Sequence, residues 1–267
     1  MHDAVLGHLR QTLHDRLAGH GSVKDRHGEV DQSRTAGRLF AGDYSTSMTA
    51  GDEFGGSRLG LGVMHDLDGE VVSLRGRTWR VPADGVPREV DPTEGIAFGV
   101  AARGGREHSV AVPAGSDMEG IRAAIDSYLQ ATHEDPHEVV CAVEIEGDFV
   151  DVLLRTVAPP TRDHESLAEV IDDETRFHFP TWRGTLVGFR FPDDSDGQTI
   201  PGLHLHGIGQ DERTGGHVRD VTARQVVARI WVDEFHPVSE APGVGVSAGS
   251  GAAVDFQRLE GPTADDA

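Results

Sequence analysis

The run PGLHLHGIGQDERTGGHV, residues 201–218, constrains this chain more than any other segment. In a β-strand alternate side chains leave the same face, so His204 and His206 aim two imidazoles at one point. The glycine-rich, polar stretch 207–216 then reads as a turn that reverses the chain and returns His217 towards the first pair. Three neutral imidazoles on one cation leave a fourth position open, the arrangement of catalytic rather than structural zinc. The bland alternative is a chance cluster, because the chain holds 15 histidines and most must be ordinary solvated side chains. His2, His8, His14, His20 and His27, scattered through a polar N-terminal segment, lack ligand spacing and are set aside.

Cys141 is the single cysteine, so neither an intrachain disulfide nor a multi-thiolate zinc site is possible, and metal ligands must be N and O. The net charge of −21, from 45 acids against 24 bases, repels nucleic acid and anionic lipid, and neither is expected as a partner. Lys24 is the sole lysine, a bias that fits either codon usage or an acidic surface adapted to high salt, where counterions screen self-repulsion. No run of about 18 apolar residues occurs, and the start MHDAVLGHLRQ lacks the features of a secretory signal. A soluble, cytoplasmic protein is expected.

Residues 1–32 read as an appendage, partly helical through Val5, Leu9, Leu13 and Leu17. Residues 33–236 form the main body. Strands 71–74 and 78–81 flank Arg75-Gly76 as a hairpin, and 96–100 and 109–112 are further strands. Ser116 and Glu119 have capping-box spacing before Met118, Ile121, Ile125 and Leu129, which predicts a helix. Residues 139–145 and 149–157 read as a β-pair across Glu146-Gly147-Asp148. Ser166 and Glu169 repeat the capping signature before a shorter helix, and 185–191, 203–208 and 226–232 supply more strands. The sum is an α+β fold of mixed and antiparallel sheets with a few helices and the zinc site on a β-hairpin. Residues 237–267 form a tail in which the Gly/Ser/Ala-rich stretch 244–253 is a flexible tether. The apolar residues beyond the tether could dock, letting the tail fold back on the site.

Three segments together resemble the α-acetolactate decarboxylase family of zinc enzymes. They are FGGSRLGLGVMHDLDGEVV (54–72), CAVEIEGDFVDVLLRTV (141–157) and PGLHLHGIGQDERTGGHV (201–218). The third resembles the family's PGYHLHF followed by DRTFGGHV and keeps the two- and eleven-residue spacings of its zinc-ligating histidines. The chain departs where Val63 and Met64 replace the family's threonine and aromatic after LG, and where an aromatic is missing after Arg213-Thr214.

The resemblance implies decarboxylation of 2-acetolactate to acetoin and carbon dioxide, with Zn2+ on His204, His206 and His217 chelating the substrate's ketone and hydroxyl oxygens. Such a metal stabilises the enediolate left when the carbon–carbon bond breaks. From the residues alone Arg155, in the apolar run 152–157, is better explained by a structural ion pair. The resemblance reverses that and assigns it to the substrate carboxylate or the enediolate. Glu70 matches the family's acid near zinc, the group that protonates the enediolate on one face. The family also uses a glutamate from its C-terminal tail; the candidate here is Glu260, with Glu240 as the alternative and a solvated tail as the bland reading of either. Asp220 is either an outer partner of the ligand histidines or a solvated turn carboxylate. A homodimer is also implied.

Two other classes remain open. One is a zinc enzyme acting on a related 2-hydroxy-3-keto acid. The other is a metal-binding homologue that no longer reacts, suggested by Val63 and Met64. A cupin-type barrel fits less well, because its last histidine lies on a distant strand, whereas His217 follows His206 by eleven residues.

Overall fold

Turn chemistry sets many of the element boundaries in the computed structural model, which describes residues 28–162, 165–192, 197–232 and 234–236. The N-terminal half contains β1 (Glu29–Gln32), α1 (Ala36–Phe40), β2 (Met48–Thr49), α2 (Ala50–Phe54), β3 (Leu59–Met64), β4 (Glu70–Leu74), β5 (Arg77–Val81), β6 (Arg88–Glu89), β7 (Gly95–Arg103) and β8 (Glu107–Val110). The C-terminal half contains α3 (Met118–Thr132), β9 (Cys141–Thr156), α4 (Leu167–Asp172), β10 (Thr175–Phe191), β11 (Gly202–Gly209), β12 (Gly215–Val232) and β13 (Glu234–His236). Arg75 and Gly76, at φ 53° and 81°, make the two-residue turn between β4 and β5 that matches strand twist, as the sequence predicts. Ser166 and Glu169 close a capping box on α4, with Ser166 N–H donating to Glu169 Oε2 at 2.9 Å.

The strands form two sheets. The larger runs β13-β1-β7-β3-β4-β5-β6, with β2 added on β7, and is antiparallel except where β1 pairs β13. The smaller, wholly antiparallel, runs β11-β10-β9-β12-β8, and a further β11–β12 pairing closes one end upon itself. Alternation of side chains along each strand then creates three apolar layers. The central one, between the sheets, includes Leu61, Val72 and Val100 facing Val187, Phe189 and Trp231. Ile121, Ile125 and Leu129 of α3 cover the far face of the smaller sheet. Ala50 and Phe54 of α2 cover the far face of the larger one with Met64, Val71 and Ile96. Among the described residues no helix is long and apolar enough to cross a membrane.

Three expectations change. Residues 141–156 form one strand, β9, rather than a pair, because both halves lie in a single ladder with β10 and with β12. Gly147 looks like a turn residue in sequence but is a point of close approach: at φ 154°, a Cβ there would collide with the Gln225 carbonyl. The N-cap of α3 is Asp117, whose Oδ1 accepts from Gly120 N–H at 2.8 Å, so Ser116 is not the capping residue. Finally, β1 falls within the first 32 residues, and the sheet takes it up between β13 and β7 with Val30 fully buried.

Candidate metal centre

Register fixes the centre. His206 of β11 pairs directly with His217 of β12, and His217 pairs in turn with Arg155 of β9, so three neighbouring strands carry the three side chains on one face. His204, two residues before His206, shares that face. Gly216, at φ 137°, lets β12 lie against β9 here, since a Cβ would strike the Arg155 carbonyl. All three histidines are buried, and their nitrogens converge within 4.8 Å. His204 Nε2 lies 3.1 Å from His206 Nε2 and 3.1 Å from His217 Nδ1.

Burial holds all three imidazoles neutral. Desolvation, helped by the nearby Arg155 charge, pushes His204 down to about 3. His206 is driven well below its ordinary value by desolvation first and by His204 second. His217 is driven down by desolvation, then by Arg155, His204, His206 and the buried Arg219. The Val71 carbonyl lies 2.8 Å from His206 Nδ1, so in the neutral ring Nδ1 is the donor and Nε2 is turned inward with its lone pair. Ring nitrogens about 3 Å apart are spaced to share a proton or to hold a cation between them, and tetrahedral zinc with 2.0–2.1 Å bonds sets its ligands roughly 3.3 Å apart. The donor set therefore fits a divalent metal of borderline softness.

Beside the histidines lies a small cavity lined by Glu70, Arg155, His204 and His206 and by apolar walls that include Val63, Phe98, Leu167 and Ile200. Glu70, opening β4 on the opposite sheet, is 2% exposed; its Oε1 accepts from Arg155 Nη1 at 3.0 Å and its Oε2 lies 3.6 Å from His206 Nε2. Capping of α4 and the Tyr44 hydroxyl, which donates to the Glu165 carbonyl at 2.8 Å, fix the wall at Leu167. On the other side, Gln198 O accepts from Ala36 N–H and from Gln32 Nε2 at 3.1 and 2.6 Å, which ties the segment before Ile200 to the start of α1.

Five of the residues singled out from the sequence thus meet: His204, His206, His217, Glu70 and Arg155. Glu260 and Glu240 lie outside the described residues. Asp220 Oδ1 accepts from the Val221 N–H at 2.8 Å, while the outer partner of His206 is a backbone carbonyl of the other sheet, which no side-chain pattern reveals. Val63 lines the cavity, but Met64 faces the α2 side, so of these two replacements only Val63 touches the site. Sequence reasoning missed Arg219 and Glu174. Arg219 shares the strand with His217 at a two-residue offset, a signal that alternation offered.

Fold and site define a class: a two-sheet β-protein with a buried three-histidine group able to hold a metal ion beside an acid and a guanidinium. A sequence model of the alpha-acetolactate decarboxylase family matches residues 30–238. The alpha-acetolactate decarboxylase of Methylococcus capsulatus (Bath) is 33% identical over 204 residues, covering 76% of each chain. That of Klebsiella aerogenes is 29% identical over 199 residues, covering 74% of this chain and 75% of its own. The crystal structure of the Bacillus subtilis strain 168 enzyme superposes with a TM-score of 0.73 at 22% identity, covering 88% of this chain and all of the other, a likeness of fold. The chain belongs to the alpha-acetolactate decarboxylase family, a family of carboxy-lyases.

Proposed function

We propose that this protein is a zinc-dependent acetolactate decarboxylase that converts 2-acetolactate to acetoin and carbon dioxide. The observation that supports it most is the convergence of Glu70, Arg155, His204 and His206 on one buried cavity, with His217 beside them. His204, His206 and His217 would hold the zinc, which when bound supplies a Lewis acid for the electron pair released as the carboxylate leaves.

The chain's own groups account for the rest. Arg155 presents planar, permanently charged donors suited to a carboxylate, which orients the bond to be broken. The apolar walls at Val63, Phe98, Leu167 and Ile200 keep water from the carbon left behind. Glu70, a carboxylate beside Arg155 at rest, takes up at Oε2 the one proton that each turnover draws from solvent and delivers it to that carbon. Its Oε1 is engaged by Arg155, and the proton moves at Oε2, which is fixed on the side of the cavity formed by the larger sheet. A single, fixed acid on one side gives acetoin of one hand.

The test is elemental analysis of the purified protein together with chiral chromatography after incubation with racemic 2-acetolactate. About one zinc per chain and one acetoin enantiomer are expected. Zinc without carbon dioxide release identifies an inactive homologue. Release from another 2-hydroxy-3-keto acid but not from acetolactate moves the substrate.

A further inference from the structure

Arg155 and Arg176 are directly opposed partners in the β9–β10 ladder, an arrangement in which two like charges leave one face side by side and repel. Glu174 resolves it. Its side chain is 3% exposed, with Oε2 3.3 Å from Arg155 Nε and Oε1 accepting from Arg176 Nε at 2.6 Å. With Glu70 on Arg155 Nη1 at 3.0 Å, charges alternate from the cavity outwards as Glu70, Arg155, Glu174 and Arg176. Arg176 brings the alternation to the surface, its side chain 37% exposed. Glu174 is itself fixed by the end of α4, since its N–H donates to the Ile171 carbonyl at 3.0 Å. Arg155 and Glu70 line the cavity, and Glu174 reaches it through Arg155.

A long arginine side chain gripped at Nη1 alone can still turn about its last bonds. A second carboxylate beside Nε, in ion-pair contact at 3.3 Å rather than in a hydrogen bond, draws that edge of the guanidinium by charge and restrains the turn. We propose that Glu174 is a positioning residue: its buried charge, 3.3 Å from Arg155 Nε, holds the side chain in the orientation from which the guanidinium meets the substrate carboxylate. The kinetic consequence rests on the decarboxylase reading; the grip itself does not.

Glu174→Gln keeps the shape and removes the charge. In the zinc-loaded variant, kcat is expected to fall about 10²-fold, the scale of a small misplacement of a reacting partner, with zinc content unchanged. Glu174→Asp should recover part of the rate. In an Arg155→Lys background, Glu174→Gln should cost less than about threefold more, because what it positions is already gone. A second readout needs no turnover: the Arg155 Nε–H resonance in a proton–nitrogen NMR spectrum, assigned by its absence from Arg155→Lys, should move towards the position of solvent-exposed arginines in Glu174→Gln. An unmoved resonance, or a loss in the double variant that multiplies the two single losses, overturns the assignment. If the wild-type protein releases no carbon dioxide, the decarboxylase reading fails while the resonance still decides the grip. If Glu174→Gln does not fold, the same resonance is read in Glu174→Asp, whose carboxylate is withdrawn by one methylene.

Discussion

All three imidazoles and the Arg155 guanidinium stand on the five-stranded sheet, whereas the eight-stranded sheet brings Glu70 and the Val71 carbonyl to the same cavity. On the smaller sheet the ligands are locked to one another by cross-strand register, His206 against His217 and His217 against Arg155. On the larger sheet Glu70 reaches the site as a side chain from a hairpin, joined to the others by a 3.0 Å contact with Arg155 and a 3.6 Å approach to His206. The histidines that could hold a metal and the acid proposed to deliver the proton therefore stand on different scaffolds. Substitutions on the two sheets should separate them.

The largest effect is expected from His206→Ala. It removes a ligand, and the loss should exceed the 10–100-fold cost typical of losing an outer partner. Elemental analysis should find the metal gone and the acetoin assay should fall to background in the same sample. A fully zinc-loaded His206→Ala protein would break the assignment of metal binding to the smaller sheet.

Arg155→Lys comes next. An ammonium cannot reproduce the planar contact with a carboxylate, and it cannot meet Glu70 and Glu174 at once, so most of the rate should go while zinc stays. Wild-type turnover would return Arg155 to a structural ion pair. Glu70→Gln, on the other sheet, should keep zinc and slow turnover by about 10²-fold, the usual contribution of a positioned acid. Its residual acetoin should also lose optical purity. Undiminished rate with one pure enantiomer would mean that the proton comes from elsewhere, with Glu260 next to be tested.

Those residues were legible in the sequence for unequal reasons. The histidine pair is a local pattern: strand alternation alone puts two imidazoles on one face, and a turn-rich connection returns the third. Glu70 and Arg155 carry no such signal, being single charges in ordinary strands, and only likeness to a family pointed to them. Glu174 was invisible because its meaning lies in register, the opposition of Arg155 and Arg176 across β9 and β10. The same limit explains the misread β9, where Gly147 mimics a turn in sequence but serves a close approach of strands that only the folded ladder brings together.

The smallest effect on turnover, below about twofold, is expected at the other face of the larger sheet, where substitution changes stability instead. Glu53 of α2 is 2% exposed, and its Oε1 has no hydrogen-bond partner among the described residues. Desolvation raises its carboxyl to about 8, with Arg103 opposing and Asp31 adding to the shift. Between its ordinary value of 4.5 and about 8 the folded protein thus holds a proton that the unfolded chain has released, and stability must fall as pH rises through that window. The histidine cluster has the opposite sign. Its values lie below 6.5, so in metal-free protein the unfolded chain binds protons that the fold refuses, and stability falls as pH drops below about 6.5. Glu53→Gln removes the first slope and leaves the second. Urea unfolding of the metal-free proteins should find the variant close to wild type at pH 5 and more stable by roughly 2–4 kcal/mol at pH 8. Parallel pH profiles for the two proteins would mean that Glu53 is ionised in the fold, and that the two faces of the larger sheet do not differ in the way their charges are held.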